Sequence, residues 1–187
     1  MRKARSPSKR AGRQAEPDDR ALLDADAARG RALKLLSRRE HSAAELSLKL
    51  QRRGAETDVA QQAVAAMQDA GWQSDARYAE MLVRNRIAQG YGPLRIRADL
   101  AAARIPETAT KAALAAAEAD WPALCAALRR RRFRAAPGNA AEWQKQYRYL
   151  ASHGFPGDAV RAALKAAGAR GGDDEDFSSG PEEEGWD

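Results

Sequence analysis

Cysteine occurs once in the 187 residues, at Cys125, and histidine twice, at His41 and His153. A single thiol excludes an internal disulfide and leaves no thiolate pair for a zinc knuckle. That usage suits a reducing compartment, so the cytoplasm is the expected location. The two histidines lie far apart in the chain, each at a helix start or loop junction, where such a residue caps or packs. Aromatic residues make up only 6 % and β-branched residues are sparse, while the 44 % apolar fraction is mostly alanine and leucine. This composition favours helix over sheet and is sufficient for a buried core. No run approaches the roughly 20 apolar residues of a membrane span. The basic opening MRKARSPSKRAGRQ is not followed by the apolar stretch of a signal peptide. Neither export nor membrane insertion is expected.

What the chain does have is arginine and lysine, unevenly placed. Residues 1–20 hold seven Lys/Arg against three Asp/Glu, residues 31–170 hold 24 against 13, and residues 171–187 hold none against eight. A basic body with an acidic appendage is the pattern of a polyanion binder. Residues 1–28 have almost no large apolar side chain and read as a disordered basic arm, because they cannot offset the entropy of ordering. Residues 169–187, ending GGDDEDFSSGPEEEGWD, read as a disordered acidic tail in which Phe177 and Trp186 are the only hints of docking.

Between these arms the sequence repeats at about fifty residues. Leu50, Leu100 and Leu150 fall in register, followed by Gly54, Arg104 and Gly154, then Ala55, Ile105 and Phe155, and farther on Val64, Leu114 and Leu164. Each copy divides into three helical segments. In the first, Ala32, Leu35 and Leu36 share a stripe. Ser42 and Glu45 then form a capping box, Leu46 and Leu50 stand one turn apart, and Gly54 closes the helix. Val59, Ala63, Val64 and Met67 mark the third segment, which stops at Gly71. The second copy starts at Ser74 and places Pro93 in the first turn of its middle helix. The third starts near Asp120 and runs through Trp143, Tyr147 and Leu150 to a break at His153-Gly154. The expected architecture is all-α: three tandem three-helix repeats at 29–73, 74–119 and 120–168, packed in series into an elongated, curved body.

Parts for catalysis are missing. Cys125 lies on an apolar stripe with Leu124 and Leu128 and should be buried and inert. Gly90-Tyr91-Gly92-Pro93 lacks the Lys-Ser/Thr pair of a phosphate loop. The acidic runs fall in the tail, not on a scaffold that could cage a cation. No cofactor, metal site or enzymatic activity is expected.

Arginine carries the binding prediction. Arg77 and Arg84 are seven apart on one helix and Arg97 and Arg104 seven apart on the next, so each pair shares a face. The third copy adds Arg129, Arg130, Arg131, Arg132 and Arg134, a run too dense for one helical face. Guanidinium forks suit phosphate and carboxylate, and neutralising several phosphates makes binding salt-sensitive. Tyr91, Trp143, Tyr147 and Tyr149 lie near these segments, where either base stacking or core packing accounts for them.

SDARYAEMLVRNRIAQGYGPLRIRADL, at 74–100, closely resembles the signature of the RecX family of regulators of the RecA recombinase. ALKLLSRREHSAAELSLKLQRRG resembles that family's opening repeat and YRYLASHGFPGDAVRAAL its closing one; the resemblance spans residues 30–167. It implies a protein of tandem three-helix repeats that binds RecA–DNA filaments and lowers their ATPase, strand-exchange and coprotease activities; a monomer is the separate expectation. DNA itself, single- or double-stranded, is expected as a weak and non-specific partner. The resemblance brings no catalytic residue. The alternative is a helix-turn-helix-like DNA-binding protein acting without RecA, which a site-specific mobility shift would reveal.

Overall fold

A computed structural model describes residues 23–171; the arm and tail expected from the sequence fall mostly outside these residues. Among the described residues there are nine α-helices and no strand: α1 (Ala25–Leu36), α2 (Ala43–Gln51), α3 (Thr57–Asp69), α4 (Asp75–Ala88), α5 (Pro93–Ala102), α6 (Glu107–Ala116), α7 (Trp121–Arg132), α8 (Ala140–Ser152) and α9 (Gly157–Gly171). The all-α architecture of three tandem three-helix units therefore stands. Its edges differ from expectation. Helix α1 starts at Ala25, because Asp24 accepts from the Ala27 N–H (2.8 Å) and Ala28 packs fully buried, and α9 runs on to Gly171.

The fifty-residue register has a physical cause. After α2, α5 and α8 the chain turns through a left-handed residue, Gly54 (φ 97°), Arg104 (φ 58°) or Gly154 (φ 86°). The next N–H, of Ala55, Ile105 or Phe155, then reaches back to the carbonyl of Leu50, Leu100 or Leu150 at 3.1, 3.0 and 3.4 Å. This is the Schellman closure, in which an apolar residue beyond the turn packs back on the helix and backbone acceptors are satisfied. All six residues are buried, so each repeat folds its middle helix back on its own core.

Within every repeat the first and third helices form the main packed pair and the second leans on them. The cores are separate: Ala28, Leu46, Leu50, Val64 and Met67 in the first, Tyr78, Val83, Ile96 and Leu100 in the second, and Cys125, Leu128, Leu150, Phe155 and Leu164 in the third. Trp121 packs against both the second and third. Full burial of each Leu or Ile contributes roughly 1.5–3 kcal/mol, so an acidic residue at Leu50, Leu100 or Leu150 removes a repeat's anchor.

Two joints connect the repeats. In the first, the Ala43 N–H at the start of α2 donates to Asp75 Oδ1 (2.8 Å) and Gln73 Nε2 donates to the His41 carbonyl (3.1 Å). In the second, the N–H groups of Gly92 and Leu94, at the start of α5, donate to the carbonyls of His153 (2.8 Å) and Gly154 (3.0 Å), at the end of α8. The orphan donors of one helix thus meet the orphan acceptors of another, with opposite ends of the two dipoles in contact. Tyr91 stacks on His153 beside them, with ring centroids 5.7 Å apart.

Candidate binding surface

The nine arginines singled out from the sequence do not form one surface. Arg77 on α4 donates from Nε to Glu40 Oε1 (2.8 Å) and from Nη2 to the Trp72 carbonyl (2.9 Å), so it helps hold repeat 2 on repeat 1. Arg97 on α5 is paired with Glu107 at the start of α6. Arg84 stands 3.8 Å from Glu80 with 68 % of its side chain exposed, a loose i,i+4 pair. Exposed pairs of this kind are worth about 0.2–1 kcal/mol, so Arg77 and Arg97 are occupied without being tightly held.

Arg104 has no carboxylate within 4.0 Å among the described residues. It stands where the other two repeats have glycine, and a left-handed backbone costs a side-chain-bearing residue about 1–2 kcal/mol. Its side chain lines a cleft of about 620 Å³ between repeats 1 and 2, together with Glu45, Leu48, Tyr78, Leu82 and Arg86.

The run on α7 splits by direction. Arg129 is a correction to the sequence reading: it is buried, 6 % exposed, with Nε donating to Gln146 Oε1 (3.0 Å) and a terminal nitrogen donating to the Ala135 carbonyl. Burial, and secondarily Arg130, hold its pKa below the ordinary arginine value. The helical stripe carried the signal, since Arg129 follows the buried Cys125 by four residues. Arg130 and Arg134 line a groove between α7 and α9, and Arg132 covers Phe133 and Tyr149 at 5.4 and 5.6 Å. An added Cβ on Gly90 would meet Arg131, which reaches toward repeat 2. Arg130, Arg131, Arg132 and Arg134 are exposed, and none has a carboxylate within 4.0 Å among the described residues.

Several residues beyond the sequence candidates matter to this surface. Arg86 and Arg95 both bond Asp99 (2.7 and 3.3 Å) and lie over the Tyr91 ring, fixing the edge of the second joint. Tyr91 therefore serves the joint, while Tyr147 and Tyr149 pack against the third core. Trp143 is 37 % exposed and stacks on Tyr147.

The other polar groups have structural surroundings. Ser42 accepts the Glu45 N–H (3.0 Å), but the reciprocal half of the expected capping box is lost: the Glu45 carboxylate turns to Arg39 and lies 3.2 Å from His41 Nδ1. Burial disfavours ionisation of Glu45, yet Arg39 and His41 outweigh it and keep its pKa below the ordinary value. His41 is 2 % exposed; burial first, and then Arg39, lower its pKa against the pull of Glu45. Burial alone pushes the Cys125 thiol up to about 11. No group of three or more His, Cys, Asp or Glu able to hold a metal gathers among the described residues, and no helix there is long and apolar enough to cross a membrane.

Three family models match in chain order, described as the first, second and third three-helix domains of RecX, at residues 28–66, 74–114 and 118–164. The Regulatory protein RecX of Xanthomonas axonopodis pv. citri (strain 306) is 48 % identical over 136 residues, covering 72 % of this chain and 84 % of that one. The chain belongs to the RecX family. Regulatory protein RecX of Stenotrophomonas maltophilia (strain R551-3) is 47 % identical over the same length, covering 72 % and 83 %. The crystal structure of RecX from Lactobacillus salivarius superposes with TM-score 0.67 at 20 % identity, over 78 % of this chain and 97 % of that one. A second RecX crystal structure gives 0.66 at 22 % identity, over 75 % and 73 %. These last two show a shared fold. These relatives are named regulatory proteins, and the repeats here carry exposed arginines at the end of α7.

Proposed function

We propose that this chain binds the RecA–DNA filament and lowers its ATPase, strand-exchange and coprotease activities. The observation that carries the reading is the exposed end of α7, where Arg130, Arg131, Arg132 and Arg134 have no carboxylate within 4.0 Å among the described residues. Membership of a family of regulators supports it. Such a cluster fits the phosphates and acidic surfaces of a nucleoprotein filament, and Arg84 and Arg104 are further candidate cations on repeat 2. A rigid series of repeats laid across several recombinase subunits changes activity only by binding one filament state better than another. The work is binding, carried out in the cytoplasm by a monomer without a cofactor, and affinity for naked DNA is weak and non-specific.

The test is the ATPase rate of RecA on single-stranded DNA, titrated with this chain. The rate falls with the wild type, and reversing Arg130, Arg131, Arg132 and Arg134 to Glu weakens the effect at least about tenfold, as expected when several charge contacts are lost. Reversing Arg77 and Arg97 is a poorer test, because it also breaks their pairs with Glu40 and Glu107. Full inhibition by the α7 variant would discard this surface. A sequence-dependent mobility shift without RecA would discard the filament reading for a free-standing DNA-binding protein.

A further inference from the structure

A buried cation ordinarily has a counter-ion, since removing an unpaired charge from water is costly. Arg129 has none within 4.0 Å among the described residues; its partners there are the neutral Gln146 side chain and the Ala135 carbonyl. It forms part of the wall of the α7–α9 groove, a space of about 480 Å³ shared with Arg130, Arg134, Ala163, Ala166 and Ala167. Buried Arg129 and exposed Arg130 and Arg134 thus share the groove with Ala166 and Ala167, which are not buried, while Ala163 belongs to the third core. Cations beside small apolar side chains complement a segment that carries both carboxylates and an apolar side chain.

The chain contains such a segment directly after α9. Residues 173–177 read DDEDF, within a stretch of eight acidic and no basic residues over 171–187. Ala167 precedes the last residue of α9 by four positions, about 6 Å along the axis. Residues 172–177 span up to about 20 Å when extended, so both the arginines and the alanines are within reach. The adjacent glycines 171 and 172 place no Cβ in the way of a reversal.

We propose that DDEDF at 173–177 folds back into the α7–α9 groove, setting its carboxylates against Arg129, Arg130 and Arg134 and the Phe177 ring over the alanines. The docking stands independently of the recombinase reading; only its consequence, that the segment competes with a polyanionic partner for Arg130 and Arg134, rests on that reading.

The test compares backbone amide spectra of the full-length wild type with a variant carrying Asp173→Asn, Asp174→Asn, Glu175→Gln and Asp176→Asn. Neutralisation shifts the amides of Arg130, Arg134, Ala163, Ala166 and Ala167, and about 1 M salt, where charges are screened within about 3 Å, abolishes the difference. Phe177→Ala with the acids intact shifts the three alanines. Identical spectra overturn the proposal. So do shifts scattered over the arginines of all three repeats, which would mean diffuse attraction without a seat, and so do alanine amides indifferent to Phe177→Ala. An oligonucleotide supplies the last arm: a single-stranded 30-mer binds the neutralised variant on the order of tenfold tighter, because a tethered competitor acts at an effective concentration near millimolar. Groove amides that respond to the oligonucleotide but not to neutralisation would assign the groove to nucleic acid and overturn the docking. A chain that leaves RecA ATPase unchanged would sink the filament reading while leaving the spectra of the docked tail as described.

Discussion

Ser42 and Gly92 hold the same place in consecutive repeats, each the cap of a middle helix, yet the helix starts they serve are completed in different ways. At α2 the Ser42 hydroxyl takes one N–H and Asp75, from the next repeat, takes another. At α5 there is no side chain to use, and the backbone of α8 supplies both acceptors directly. The first joint thus runs through a side chain with rotatable bonds, whereas the second is backbone against backbone and its angle is set by hydrogen-bond geometry. Serine fits the first position and is excluded from the second: a Cβ on Gly92 would lie well under 3.0 Å from the Gly154 carbonyl and the Phe155 nitrogen.

The contrast can be broken most severely at Gly92. Gly92→Ala keeps an ordinary backbone (φ −86°), so its effect is steric. It should cost about 2–3 kcal/mol in urea unfolding, the upper part of the roughly 1–3 kcal/mol range for forcing a methyl into a packed contact. Gly30→Ala is the control, with nothing within 4 Å of its added Cβ, and should be neutral or slightly stabilising. A small effect at Gly92 would mean that the second joint yields as easily as the first. Asp75→Ala ranks next, at about 1–2 kcal/mol, because it strands the Ala43 N–H and one partner of Gln73. Its loss should appear as faster amide exchange at the start of α2 while α5 stays protected.

Arg104→Gly works in the opposite direction. It gives the end of α5 the residue found at the ends of α2 and α8 and should stabilise the chain by about 1 kcal/mol, read as a raised unfolding midpoint. The smallest effect is a pH dependence of the first joint. His41 has a folded pKa below its ordinary value of 6.5, so the unfolded chain binds more protons as the solution is acidified. The stability from keeping it neutral is complete above 6.5 and declines as pH falls below it. The urea midpoint should therefore drop between pH 7.5 and 5.5, and His41→Asn should flatten that slope. Glu45 adds a loss of the same sign below its ordinary 4.5.

Local chemistry was legible in the sequence; contacts across the joints were not. Leu50, Leu100 and Leu150 announced themselves because a Schellman closure demands an apolar residue, a left-handed turn and another apolar residue at fixed spacing. Ser42 and Ser74 were readable for the same reason, since a cap acts three residues away. Asp75 capping α2 lies 32 residues from its target and Glu40 lies 37 from Arg77, separations that leave no periodic trace. Which arginines pair with a carboxylate was therefore not legible. Charge count and helical spacing place guanidinium groups on faces, but only the packed repeats show which faces meet a carboxylate.

Cys125 has a practical corollary. The chain's one thiol is wholly buried and its pKa is raised to about 11, so only about one molecule in ten thousand presents a thiolate at neutral pH. A maleimide dye would pass it by. A cysteine introduced on any exposed helix then becomes a unique attachment point without first stripping the native one, and pairs of such points on different repeats would turn the two joints into distances measurable one molecule at a time.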